Sequence, residues 1–352
     1  MKLEAQVPLA PLTTLEVGGP ARHLLRAADE ASLREGLSWA RERDQSVTLL
    51  GGGSNVVVAD RGVDGLVIQL EGDRITDRGG GVVEVDAGVE WDQLVRFAVE
   101  RGLAGLECLS GIPGRVGAAP MQNIGAYGQE VGGSIDAVRV IDRASGERAE
   151  IAGRDCDFGY RDSIFKREAA ERYVVVGVRF RLVVGGAATV AYAELARQLP
   201  AEPGLAVVRD TVIALRRGKS MVLDPEDPNR RSAGSFFVNP VVSDVEQVRA
   251  RAEAVAPGET LPTYPAPNGV KVPAAWLIER AGFTKGTARG RVGISSNHCL
   301  ALVNRGGASA AELLAFAGEV RARVWDRFGV RLEPEPRLLG FEPGEAEALL
   351  GG

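Results

Sequence analysis

Cysteine is scarce. The chain has three in 352 residues, Cys108, Cys156 and Cys299. An odd count with no C-x-x-C spacing excludes a disulfide framework and a structural zinc site, and it suits a reducing, cytoplasmic setting. Histidine is scarcer still: with only His23 and His298, a histidine-rich metal centre is excluded and no metal is expected. No run of 18 apolar residues is present, so no membrane insertion is expected. The opening stretch "MKLEAQVPLAPLTTLEVGG" also lacks the apolar core of a signal peptide. A net charge of -5 without a basic block argues against a nucleic-acid partner. What is present is ordinary for a soluble globular chain: 45% hydrophobic and 25% charged residues, enough for sizeable cores in about two domains or three small ones. Glycine is abundant at 45 residues and clusters in loops, where it lets backbone approach a ligand closely.

The first half reads as mixed α and β. "VTLLGGGSNVVV" (47–58) is an apolar run, a glycine loop and a β-branched run, that is, strand, loop, strand. "DEASLREGLSWARER" is an amphipathic helix, and "GVVEVDAG" a strand. In "EWDQLVRFAVERG", Trp91, Leu94, Val95 and Ala98 share a helical face that Gly102 can end. Residues 103–128 hold six glycines and two prolines with apolar residues between them. Long structureless loops in compact domains are uncommon unless functional, so a backbone-rich wall against a ligand is expected. "RYVVVGVRFRLV" reads as a strand and "DTVIALRRGKSM" as a helix, and "DPEDPNRR" marks a boundary near residue 223. In the last third, "SAAELLAFAGEVRARVWDRFG" is the best helix. Ser309 and Glu312 form a capping box, Leu313, Phe316, Val320 and Val324 form its stripe, and Gly329 ends it.

Gly51, Gly52, Gly53, Ser54 and Asn55 suggest an anion cradle of backbone N–H groups. The loop is not a P-loop, which needs a Gly-Lys-Ser/Thr end before a helix. Nor is it a Rossmann fingerprint, since a second strand follows it. The alternatives are a plain glycine-rich hairpin and a pyrophosphate cradle in a non-Rossmann nucleotide fold.

Six segments in order carry a more specific signal: "LGGGSNVVV", "SGIPGRVGAAPMQNIGAYGQE", "FGYRDSIFK", "GSFFVNPVV", "AAWLIERAGF" and "LEPEPRLLG". Together, from about residue 13 to about 340, they resemble the UDP-N-acetylenolpyruvoylglucosamine reductases, also called UDP-N-acetylmuramate dehydrogenases. The resemblance implies an α+β chain, with a vanillyl-alcohol-oxidase-like (PCMH-type) FAD-binding fold plus a smaller α+β substrate-binding domain. It implies FAD-binding subdomains over 1–72 and 73–222, a substrate domain over 223–335, and a return of 336–352 to the first subdomain. The implied cofactors are non-covalent FAD and NADPH as co-substrate. The substrate is UDP-N-acetylglucosamine enolpyruvate, the product UDP-N-acetylmuramate, a cell-wall precursor, and the expected state a monomer. No covalent flavin bond is expected, because the glycine loop holds neither histidine nor cysteine.

The implied chemistry is reduction of an enol ether conjugated to a carboxylate. Hydride arrives at the terminal vinyl carbon, negative charge builds on its neighbour, and a proton must follow. Arg161, in "YRDSIFK", suits the carboxylate, since a guanidinium stays charged and forks onto two oxygens. Read from its neighbours Asp162 and Lys166, it is equally a surface ion-pair residue. Glu333 and Glu335 share a face of an extended segment, and spacing does not choose between them. The resemblance chooses Glu335, while Pro336 departs from the family's commoner valine. Ser235 is a turn or strand-start serine by its local sequence and the proton donor by resemblance.

The resemblance also places Tyr192, Lys219 and Asn239 on the nucleotide sugar and diphosphate. It places Ile112, Pro113, Gly114, Gly117, Asn123, Gly125 and Ala126 along the flavin. Two other classes are weighed, a flavin oxidase of the same fold and a non-catalytic UDP-sugar-binding protein. Each should lack part of the set Arg161, Ser235 and Glu335, which is complete here.

Overall fold

Hydrophobic periodicity sets the elements, and the elements gather into two units. A computed structural model of the chain describes residues 1–351. The first unit comprises Met1–Val7, Ala21–Gly52 and Asp64–Leu223; the second comprises Pro8–Pro20, Gly53–Val63 and the chain from Asp224 to its C-terminal end.

The first unit holds two sheets. One is four-stranded, in the order Leu3–Pro8, Pro20–Ala27, Val63–Leu70, Val47–Leu49. The other is five-stranded and antiparallel, in the order Arg148–Ala152, Ile135–Asp142, Tyr173–Arg181, Val82–Asp86, Ile75–Gly79. Helix α1 (Glu30–Glu42) starts at an Asp29–Ser32 capping box and buries Leu33, Leu37 and Ala40. Those three pack with Leu25, Leu66 and Ile68 of the first sheet and with Ile141 and Val174 of the second. Helix α2 (Trp91–Glu100) buries the expected face of Trp91, Leu94, Val95 and Ala98. Trp91 also donates its ring N–H to the Leu109 carbonyl at 2.9 Å, pinning the entry to the glycine-rich stretch. Two further helices follow, the single-turn α3 (Ala193–Ala196) and α4 (Leu205–Gly218). Sequence periodicity put the start of α4 near Asp210, but the helix begins five residues earlier, at Leu205, which lets Val208 join Val212 in burying the inner face.

The second unit packs α5 (Val245–Val255), α6 (Ala274–Arg280), α7 (Ala310–Phe328) and α8 (Glu345–Leu349) with two small antiparallel sheets. Helix α7 is its spine. The Ser309–Glu312 capping box forms in both directions, Gly329 closes the helix in the left-handed region, and Leu313, Phe316, Val320 and Val324 are buried. Strand Arg337–Leu339 pairs in parallel with Val56–Val58. The glycine loop is therefore not a hairpin: its leading strand pairs with Val63–Leu70, and its trailing strand pairs with Arg337–Leu339. Among the described residues no helix is long and apolar enough to cross a membrane, and no group of three or more His, Cys, Asp or Glu could hold a metal.

Candidate active site

In the first unit the glycine loop ends against the 111–118 segment, backbone to backbone. A Cβ added at Gly52 would lie 2.9 Å from the Gly114 Cα, and one at Gly51 would touch Ala118 at 3.5 Å. Among the described residues the Gly51 and Gly52 amides donate no hydrogen bond, while the Gly51 carbonyl is tied to Gln69 at 3.0 Å. Orphan N–H groups on a Gly-lined wall form an anion nest, so the residues present fit a flavin pyrophosphate. The Asp92 carboxylate sets the wall's height by accepting the Gly111 N–H at 2.6 Å while it grips Arg209 with two bonds of 2.7 and 2.6 Å. Burial pushes the Asp92 carboxyl up, but the Arg209 and Gly111 donors outweigh it and leave the carboxyl below its ordinary range. Gly117 closes on Ala87, its N–H bonding the Ala87 carbonyl at 2.9 Å. A cavity of about 310 Å³ lies elsewhere in this unit, at the start of α1, where Asp29, Glu30, Arg74, Asp86, Arg139 and Arg148 line it; no residue of the glycine loop or of 111–118 does.

"QNIGAYGQE" folds into a hairpin, with Gly125–Ala126 paired to Gln129–Glu130. Tyr127 and Gly128 have φ of 49° and 82°, the type I′ signature. A bulky residue at that φ is an outlier, and such outliers concentrate at functional sites. Asn123, expected along the flavin, commits its side chain to the protein. Its amide donates to Glu130 at 2.9 Å and to the Gly159 carbonyl at 3.0 Å, and its oxygen accepts the Gly132 N–H at 2.8 Å.

That bond to Gly159 reaches the Arg161 turn. Gly159 and Asp162 exchange both backbone hydrogen bonds across Tyr160 and Arg161, and Arg161 takes φ 56°. Its Nη2 donates to the Gly125 carbonyl at 2.9 Å. The neighbouring Asp162 carboxylate pairs with Arg167. The guanidinium is thus clipped to the 125–130 hairpin, directly through Gly125 and indirectly through Asn123.

Beyond the hairpin lies a cluster that includes two of the expected substrate contacts. The rings of Tyr127 and Tyr192 meet edge-on, 5.6 Å between centroids. Lys219, just past the end of α4, lies 5.6 Å over the Tyr127 ring and bonds the Glu194 carboxylate at 2.6 Å. Arg216, one turn back, donates to the Met221 carbonyl at 2.7 Å and keeps a buried Nε with no partner. Burial lowers its pKa to about 10, and the charge of Arg161 pulls the same way. Burial pushes the Tyr127 hydroxyl up to about 12, so the phenol stays neutral. Tyr127, Glu194 and Arg216 were not singled out in the sequence. The one available signal was a tyrosine before glycine in a hairpin turn, where side chains are seldom tolerated.

In the second unit "GSFFV" runs antiparallel to "EPE". Phe237 lies opposite Pro334, the Val238 N–H bonds the Glu333 carbonyl at 3.0 Å, and the Glu335 N–H bonds the Phe236 carbonyl at 2.9 Å. Glu335 therefore stands opposite Phe236, one residue from Ser235. Gly234 has φ 72°, which turns the chain into this ladder, and Phe236 and Phe237 are fully buried behind it. The Ser235 hydroxyl has no hydrogen-bond partner among the described residues. Asn55 clamps the far side: its amide reaches the Glu335 carbonyl at 3.4 Å, and its carbonyl accepts the Arg337 N–H at 3.0 Å. Pro336 gives up no bond in this arrangement, because the residues on either side of it carry the pairing. Asn239 accepts the Ala274 N–H at 2.9 Å and so starts α6. All three thiols are buried and pushed up to about 12 by that burial, which leaves them unreactive.

The glycine-lined nest suits a bound pyrophosphate, and residues 21–152 match the family described as FAD binding domain, which makes the chain an FAD-binding flavoprotein. Residues 225–339 match the family described as UDP-N-acetylenolpyruvoylglucosamine reductase, C-terminal domain. The chain is 50% identical to the UDP-N-acetylenolpyruvoylglucosamine reductase of Thermobifida fusca, over 95% of this chain and 97% of that one. It is 48% identical to that of Streptomyces coelicolor, over 95% and 89%. The crystal structure of the Thermus caldophilus reductase matches with a TM-score of 0.67 at 29% identity, covering 96% of this chain and 99% of that one. The chain belongs to the UDP-N-acetylenolpyruvoylglucosamine reductase family.

Proposed function

We propose that the protein reduces UDP-N-acetylglucosamine enolpyruvate to UDP-N-acetylmuramate at the expense of NADPH, as a soluble cytoplasmic monomer. The chemistry FAD supplies when bound is two-electron transfer, as hydride, between NADPH and the vinyl carbon. Residues 1–72 and 73–222 hold it, 223–335 hold the substrate, and 336–352 return to the first segment. The backbones of Gly51 to Asn55 cradle the pyrophosphate, and Ile112, Pro113, Gly114, Gly117, Asn123, Gly125 and Ala126 line the ring and ribityl chain.

Arg161 forks onto the substrate carboxylate and holds the negative charge that spreads into it. Ser235 gives its proton to the carbon that carries that charge. A free serine is a very weak acid, so the strongly basic carbon supplies the drive. Glu335 polarises the substrate and fixes the local hydrogen bonding. Tyr192, Lys219 and Asn239 bind the nucleotide sugar and its diphosphate.

The observation that supports this reading best is the ladder that sets Glu335 one residue from Ser235 across the chain, with that hydroxyl uncommitted. The test begins with colour and proceeds to turnover. Purified protein should be yellow and should oxidise NADPH only when the enolpyruvyl substrate is added. Oxidation at the same rate without that substrate, or protein with no flavin absorbance, overturns the assignment.

A further inference from the structure

Lys219 and Glu194 form an ion pair of 2.6 Å whose side chains are 33% and 38% exposed. A pair this open contributes little to folding, yet four observations set it apart from an ordinary surface pair. First, its two ends are held differently. Lys219 caps the 14-residue α4, whereas Glu194 sits on the single turn of α3, fixed there by fully buried Leu195. The carboxylate can therefore leave by a change of rotamer while the ammonium stays. Second, the Tyr127 face lies 5.6 Å from the Lys219 nitrogen and supplies an uncharged support that keeps it in place. Third, the tyrosine that provides this face holds a left-handed backbone, φ 49°. Fourth, Arg216 brings a second cation into the cluster, with a buried Nε that has no hydrogen-bond partner among the described residues. Within the cluster itself Lys219 and Arg216 bring two cations and Glu194 one carboxylate, while Asp92, which also acts on Arg216, is already gripped by Arg209.

We propose that Glu194 is a placeholder: its carboxylate occupies, on Lys219, the position that a phosphate oxygen of the substrate's diphosphate takes, and it is displaced on binding. This rests on the reading of Lys219 as a diphosphate contact. Glu194 is then an affinity-setting residue that touches no reacting atom. It keeps Lys219 extended and ordered, and each binding event must break its bond. The carboxylate discriminates by charge as well. A ligand with two phosphate charges outcompetes it, whereas a neutral or singly charged sugar does not, because the exchange then gains nothing.

The experiment is a titration of UDP, as a bare diphosphate probe, into the FAD-loaded protein, paired with steady-state kinetics on the enolpyruvyl substrate. Glu194→Gln should bind UDP about two- to fivefold more tightly, the range that a half-exposed ion pair is worth. It should lower KM in step, with kcat unchanged. Lys219→Met should weaken UDP binding, and adding Glu194→Gln to it should produce no further gain. Glu194→Asp, which keeps the charge on a shorter arm, should fall between wild type and Glu194→Gln. The gain should shrink as ionic strength rises. Flavin content and Tm report whether each variant is folded. If Glu194→Gln binds UDP equally or less tightly while Lys219→Met weakens binding, the placeholder is wrong and the Lys219 contact survives. If Lys219→Met binds UDP like wild type, the Lys219 reading falls and the placeholder with it.

Discussion

Arg161 and Ser235 are held by opposite means. Arg161 rides a two-residue turn in the left-handed region, at φ 56°, and is clipped to a hairpin whose own tip, Tyr127, is also left-handed. Ser235 precedes a short extended ladder whose register with residues 333–335 is set by two backbone bonds and backed by two buried phenylalanines. The first arrangement costs about 1–3 kcal/mol per strained residue and persists only because its surroundings over-determine it. The second costs nothing in conformation and takes its accuracy from period-two geometry. In the proposed roles, a charged group that forks onto a carboxylate needs a set angle, which a turn supplies, and a hydroxyl that gives up one proton needs a set distance, which a ladder supplies.

The largest expected effect lies on the ladder side. With Ser235→Ala, flavin reduction by NADPH should proceed at the wild-type rate. Reoxidation by the enolpyruvyl substrate should slow by about 100- to 10,000-fold, the contribution of a general acid. Stopped-flow absorbance separates the two half-reactions, and equal loss in both would make the serine structural. On the turn side, Arg161→Gly should cost about 100- to 1,000-fold in the same half-reaction, as loss of a charge-stabilising donor does. Because glycine relieves the left-handed strain, Tm should hold or rise, so a variant that loses Tm and activity together breaks the contrast.

A smaller effect tests the cradle. Gly52→Ala places a Cβ against the Gly114 backbone at 2.9 Å, and overpacking of that kind should weaken FAD about tenfold or more. Flavin fluorescence during dilution reads it directly. The smallest effect is a pH dependence. Asp92 carries a lowered pKa in the folded state, so the folded chain binds fewer protons than the unfolded one. The stability this contributes is present above the unfolded value of about 4 and is lost as pH falls through the folded value. Asp92→Asn should remove that acid-side slope from urea melts taken below about pH 4, and an unchanged slope would mean that the Arg209 grip contributes nothing.

Helices were legible in the sequence wherever an apolar stripe and a cap coincided. In α7 the capping box, stripe and terminal glycine all agree, and in α2 the buried face matches residue for residue. The start of α4 was not legible, because residues 205–209 lack a polar N-cap and Gly204 holds that position. The glycine loop could be read as strand, loop, strand, but not as a link between strands that pair elsewhere. Pairing partners at sequence separations of about 280 residues leave no local trace. Within the site, Arg161 stood out only through resemblance, since adjacency favoured Asp162, which pairs with Arg167. Asn123 was legible as important but not as a clip between two loops.

Period and capping were enough for the helices, residue spacing for the lack of a disulfide or metal-finger pattern, and six ordered motifs for the family. Those properties are local or are written in the order of residues. The fold alone sets that Glu335 pairs opposite Phe236, that Arg161 leans on Gly125, and that Lys219 is matched with Glu194 over Tyr127. Each of these depends on a register or on a left-handed backbone angle. Such angles arise where distant segments over-determine a position against its own local preference.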